Sequence, residues 1–210
     1  MEGGAERPAR RYLSVPRTER GMTVGLFGGS FNPPHAGHLL VSEIALRTLG
    51  LDRLWWMVTP GNPLKSRREL KPLADRIAES ERLARDPRIV VTAFEKSFGE
   101  AYTARVLARL KAIRPGVRFV WIMGADNLKS FHHWQDWQRI ARTYPIAVID
   151  RPGSTLSYLS SKMAQRFDEA RVDESDARAL ARMRPPAWTF IHGPRSSLSS
   201  TAIRAAGSAR

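Results

Sequence analysis

Short apolar runs alternate with amphipathic stretches along most of the chain. Thr23–Gly28 reads as a first strand. Gly37–Leu49 follows with Leu39, Leu40, Ile44, Ala45 and Leu49 on one helical stripe, closed by Gly50. The same alternation gives strands at Arg53–Val58, Arg88–Phe94, Val117–Met123, Pro145–Ile149 and Ala187–Ile191. Helices are predicted at Leu73–Arg85 and Thr103–Ile113, the latter capped by Thr103 itself, with short helical pieces at Leu128–His132 and Asp136–Thr143. Residues 156–183 read as two helices with an acidic patch at Asp173–Asp176, and Ser197–Arg204 opens a last helix. Thr59–Lys71 and Glu95–Tyr102 read as loops. Trp55 and Trp56 read as core or rim packing. Val117–Met123 is almost wholly apolar, which suits a strand buried on both faces.

Strands that alternate with helices predict an α/β fold with a doubly wound, mostly parallel sheet of about six strands and helices on both faces. Ligands of such sheets sit beyond the carboxyl ends of the strands, where the strand order reverses. The unusual polar residues all follow strands. Gly28–His38 follows the first, Lys65 the second, and Tyr102 and Thr103 the third. Asp126, Arg151 and His192 follow the fourth, fifth and sixth.

Residues 1–21 carry five Arg, three Glu and two Pro without periodicity, and read as a disordered basic tail ahead of one domain over 22–210. Met22 offers an alternative start. The composition is globular, at 42% hydrophobic residues, with no apolar run long enough to span a membrane and no signal-peptide core. Absence of Cys removes disulfides and thiolate chemistry and suits a cytoplasmic protein. The net charge of +14 calls for an acidic partner, either a nucleic acid or a small polyanion such as a nucleotide. The basic residues are dispersed and no nucleic-acid-binding motif is present, so nucleic acid is not the expected partner.

The candidate chemistry starts at Gly28-Gly29-Ser30-Phe31-Asn32-Pro33-Pro34-His35-Ala36-Gly37-His38. Paired glycines read either as a tight turn or as backbone that lets a ligand approach closely. The following helix offers unpaired N–H groups to an anion. His35 and His38, three apart, share a face near the helix start. No Gly-x-x-x-x-Gly-Lys-Ser/Thr and no Gly-x-Gly-x-x-Gly occurs, so phosphates must be held by another device. Two His with no Cys nearby make a poor metal site. Ser199-Ser200-Thr201-Ala202-Ile203-Arg204 reads as a helix cap or, with Arg204 one turn inside, as a phosphate cradle.

Together these stretches resemble the nucleotidyltransferases marked by His-x-Gly-His, and among them the nicotinate-mononucleotide adenylyltransferases. The resemblance implies a Rossmann-like domain. It implies transfer of the adenylyl group of ATP to nicotinate mononucleotide, with Mg²⁺ bridging phosphates. By resemblance His35, His38 and Arg204 are catalytic, the His pair donating hydrogen bonds to phosphate oxygens, best when protonated. Gly28, Gly29, Ser30, Phe31, Gly124, Asp126, Ser199, Ser200 and Thr201 hold ATP and its phosphates. Lys65, Tyr102, Thr103, Trp134 and Arg151 serve the nicotinate nucleotide, Trp134 by stacking and Trp137 as core. Arg105, Val106 and Leu64 depart from the family pattern on the acceptor side. The alternatives are the same chemistry on nicotinamide mononucleotide or another phosphorylated acceptor such as phosphopantetheine, and a basic RNA-binding protein without catalysis. Oligomeric state, including a homo-oligomer, is left open.

Overall fold

The computed structural model describes residues 8–61, 70–100, 102–150 and 158–193. Six strands form one parallel sheet in the order β3-β2-β1-β4-β5-β6. They are β1 (Thr23–Gly29), β2 (Arg53–Val58), β3 (Ile89–Thr92), β4 (Arg118–Gly124), β5 (Ile146–Ile149) and β6 (Trp188–Ile191). The doubly wound expectation holds. The helices are α1 (Arg10–Leu13), α2 (Ala36–Thr48), α3 (Leu73–Leu83), α4 (Glu95–Phe98), α5 (Thr103–Ile113), α6 (Ala125–Leu128), α7 (Trp137–Thr143) and α8 (Lys162–Arg166).

Both faces of the sheet are buried, as a parallel sheet requires. Strand side chains point alternately to the two faces. Leu26, Trp55, Trp121 and Val148 therefore join α5, α7 and α8 in one apolar layer. Phe27, Trp56, Ile122 and Ala147 join α2 and α3 in the other. Trp55 and Trp56, adjacent in sequence, anchor opposite layers.

The strand register creates the crevice. β1 pairs with β4 only as far as Phe27–Ile122. Beyond that point Gly28 and Gly29 stay with Met57 and Val58 of β2, while Met123 and Gly124 stay with Val148 and Ile149 of β5. The two strands thus part company at the reversal of strand order, which is the ligand-binding position of such sheets.

Three expectations need correction. Residues 8–21 are not a loose tail. α1 carries Tyr12, whose carbonyl accepts from the Ala93 N–H at 2.8 Å and whose hydroxyl meets the Glu81 carboxylate at 2.5 Å. Gly21 donates to the Gly116 carbonyl at 2.8 Å, and the Arg118 guanidinium donates to the Gly21 carbonyl. The segment straps the outer edge of β3, and a four-residue helix is too short to register as a period. Next, Glu95–Tyr102 contains a helix, α4, which ends at Gly99 with φ +68°. Finally, the described part of 156–183 holds only one short α-helix, α8, followed by 3₁₀ turns at Asp168–Ala170 and Glu174–Arg182. Residues 1–7 and the predicted helix at Ser197–Arg204 lie outside the described residues.

Candidate functional site

His35 and His38 meet at the start of α2, with ring centroids 4.0 Å apart. His35 is the N-cap, and the two residues cap each other. The Gly37 N–H donates to His35 Nδ1 at 3.1 Å, and the His35 N–H donates to His38 Nδ1 at 3.1 Å. Imidazole here takes the place that Ser or Thr and Glu usually fill in a capping box. The caps also fix the tautomer. A nitrogen that accepts a hydrogen bond carries no proton, so each neutral ring holds its proton on Nε2. A second proton on either ring would displace a backbone donor and open the cap.

The pair rests on an aromatic floor. The Phe31 ring lies 4.7 Å from His38 and stacks at 4.9 Å on Trp56. Phe31 is fully buried and held at φ +46°. Its side chain is a wedge under His38, so only its backbone is open to a phosphate role. Behind it, Trp56 Nε1 donates to Ser42 Oγ at 2.7 Å, which donates in turn to the His38 carbonyl at 2.7 Å. That relay ties the second turn of α2 to β2.

The paired glycines answer to packing. A Cβ on Gly28 would sit 2.7 Å from the Trp121 ring, and one on Gly29 would sit 3.1 Å from the Phe31 ring. Aromatic side chains already fill the space that any larger residue would need. Neither reading of these glycines, tight turn or ligand approach, included this packing. Ser30, half-buried, follows them and contributes its carbonyl to a contact described below.

On the opposite wall, Gly124 ends β4 and caps α6. Asp126 lies exposed in that helix, at the carboxyl end of β4. Trp134 follows the 3₁₀ turn Phe131–His133 and stands edge-on to Trp121, with centroids 6.3 Å apart. Trp134 packs against the core through the buried Trp121 and keeps part of its surface exposed. Trp137 is also half-buried, packed on Phe131 and Phe167. Tyr102, not Thr103, is the N-cap of α5, and no side chain caps that helix. Thr103 is its first residue. Arg105, three residues on, lies over the Tyr102 ring at 5.9 Å. His192 meets Glu174 at 2.6 Å and so ties the end of β6 to the preceding 3₁₀ turn. Lys65, Arg151, Ser199, Ser200, Thr201 and Arg204 lie outside the described residues.

Two buried charged residues escaped the sequence reading. Arg76 of α3 is 1% exposed. It donates to the carbonyls of Ser30 at 2.6 Å, Thr59 at 2.8 Å and Lys71 at 3.0 Å. Burial pulls its guanidinium down to about 10, so it remains charged at neutral pH. Glu95 is buried at the start of α4, and that burial pushes its carboxyl up to about 7, against a hydrogen bond from Thr59. The signal for Arg76 was present: it shares a helical stripe with Leu73, Ser80 and Leu83. Glu95 carried no such signal, because the four residues of α4 have no readable period.

The model of the cytidylyltransferase-like family matches residues 26–206 of this chain. The chain is 72% identical over 190 residues to a probable nicotinate-nucleotide adenylyltransferase of Rhizobium johnstonii, a match covering 90% of this chain and 96% of that one. It is 74% identical over 183 residues to the protein of that name from Agrobacterium fabrum, covering 87% and 98%. Among solved structures, the Plasmodium falciparum nicotinic acid mononucleotide adenylyltransferase complexed with NaAD shares the fold. Its TM-score is 0.63 at 18% identity, over 88% of this chain and 83% of that chain. With the crevice between β1 and β4, the His pair at its lip and this depth of similarity along its length, the chain belongs to the cytidylyltransferase-like family and, within it, to the nicotinate-nucleotide adenylyltransferases.

Proposed function

We propose that the chain joins ATP and nicotinate mononucleotide at the crevice between β1 and β4, giving nicotinate adenine dinucleotide and pyrophosphate. The observation that carries the site is the reciprocal histidine cap, which supplies two oriented Nε2–H donors at the N-terminus of a helix. An oxygen of the mononucleotide phosphate attacks the α-phosphorus of ATP. The bond from that phosphorus to the bridging oxygen breaks, and pyrophosphate leaves with the bonding pair. The nucleophile is already anionic, so no proton has to be removed from it. Catalysis then consists of alignment and of stabilising charge on the transferring group. His35 and His38 donate to its oxygens, with the positive end of the α2 dipole behind them.

Gly124 and Asp126 line the wall at the end of β4 and suit the ATP side. Trp134 presents an aromatic surface next to Trp121 and suits the pyridine ring. Ser199, Ser200, Thr201 and Arg204 carry the hydroxyl and guanidinium groups that suit outgoing pyrophosphate, and Lys65 and Arg151 the charge that suits the acceptor. Mg²⁺ bound to the phosphates would offset their charge. Among the described residues no group of three His, Cys, Asp or Glu could hold a metal ion. Likewise, no helix among them is long and apolar enough to cross a membrane.

The test is dinucleotide formation by the purified protein with Mg²⁺-ATP, offered nicotinate or nicotinamide mononucleotide in parallel. A strong preference for the nicotinate form is expected. Equal use, or preference for the amide, would move the acceptor assignment. No product from either would overturn the reading.

A further inference from the structure

Arg76 is buried and makes no ion pair among the described residues, yet it is surrounded by backbone oxygen. One terminal nitrogen, which bears two protons, spans the Ser30 and Thr59 carbonyls, and Nε reaches the Lys71 carbonyl. These carbonyls belong to three separate stretches: the turn after β1, the exit of β2 and the approach to α3. The Asn32 side chain accepts from the Lys71 N–H at 3.2 Å, so Lys71 is held through both of its backbone groups. A guanidinium is a rigid planar fork, and three acceptors arranged around it leave little freedom to any of them. Burying a cation without a counter-ion is expensive, so these three carbonyl contacts must offset the loss of hydration.

We infer that Arg76 is a positioning residue for adenylyl transfer, fixing the turn that begins at Ser30, directly after β1, against the exit of β2; the inference rests on the proposed reaction at the crevice. Ser30 directly follows the glycines at the crevice lip and stands five residues before His35. Release of its carbonyl frees the turn on which the transferring phosphoryl is aligned. Arg76 itself touches no substrate. It acts through the backbone, so its loss affects the chemical step more than the binding of either nucleotide.

The experiment compares Arg76→Gln and Arg76→Lys with the unaltered protein, using Mg²⁺-ATP and nicotinate mononucleotide. In Arg76→Gln, kcat is expected to fall about 30- to 100-fold while the KM for each nucleotide moves less than about threefold. Arg76→Lys, which keeps the charge and some of the donors, is expected to recover part of kcat. A folded Arg76→Gln protein with kcat within threefold of normal overturns the inference. So does a loss of kcat matched by an equal loss of folded protein in circular dichroism. If the unaltered protein makes no dinucleotide, the proposed reaction fails instead. Should neither variant fold, nitrogen NMR of the native chain decides. Exchange-protected Arg76 guanidinium protons whose shifts move when a non-hydrolysable ATP analogue binds support the role; rapid exchange or unmoved shifts overturn it.

Discussion

Replacing Glu95 by Gln should make the protein more stable above neutral pH, the reverse of what loss of a buried, hydrogen-bonded group ordinarily does. The carboxyl is buried against α4 and Thr59, and its proton is held to about pH 7 instead of the ordinary 4.5. A raised acid is bound by its proton more tightly in the folded chain than in the unfolded one. Below pH 4.5 both states are protonated and the group is neutral in its effect. As pH rises towards 7 the unfolded chain ionises first, and the folded state loses relative stability. The gap between 4.5 and 7 amounts to about 3 kcal/mol once both states are ionised, using 1.36 kcal/mol per decade. Roughly 2.5 kcal/mol of that accrues between pH 5 and pH 8. Gln keeps the shape and an acceptor for Thr59 but cannot ionise. Urea unfolding of both proteins at pH 5, 6, 7 and 8 isolates the effect, because every other titrating group is shared. The difference in stability should swing in favour of Glu95→Gln as pH rises. A difference that stays flat across this range would refute the burial argument.

Other outcomes follow from the same geometry. His38→Ala removes one Nε2–H donor and one cap acceptor. Turnover should fall by about 10²–10³ and the unfolding free energy should drop by the worth of a cap, about 1 kcal/mol; full turnover would remove His38 from the reaction. Gly28→Ala drives a methyl group to 2.7 Å from the Trp121 ring, so it should cost about 1–3 kcal/mol in denaturant unfolding. Ser42→Ala leaves the buried Trp56 N–H without its acceptor and removes the hydroxyl bond to the His38 carbonyl. Its expected cost is about 1–3 kcal/mol.

The sheet was legible because its cause is local. Six apolar runs separated by amphipathic helices admit few arrangements other than a parallel, doubly wound one, and boundaries such as Arg53–Val58 and Thr103–Ile113 match the structure residue for residue. The placement of the candidate site was legible for the same reason, since the topology fixes which ends of the strands carry loops. The contacts within it were not legible. Spacing put His35 and His38 on one face but could not reveal that they cap each other, because that depends on the extended backbone at His35. Resemblance counted Phe31 among the residues that hold ATP, and could not show that its ring, on a backbone at positive φ, lies inward on Trp56. Arg76 and Glu95 are polar residues whose burial depends on partners distant in sequence, and no window of neighbours contains that information.

The strap formed by residues 8–21 gives the N-terminal region a bearing on solubility. β3 is an edge of the sheet, and the Tyr12 carbonyl occupies the Ala93 N–H immediately after it. A polypeptide initiated at Met22 would lack that cover, and Glu81 would lose its phenol partner. Its exposed border would be free to pair with a strand from another molecule, which is how unprotected edges lead to aggregation. The product begun at Met22 is therefore expected to self-associate more than the full chain, which light scattering of the two would check.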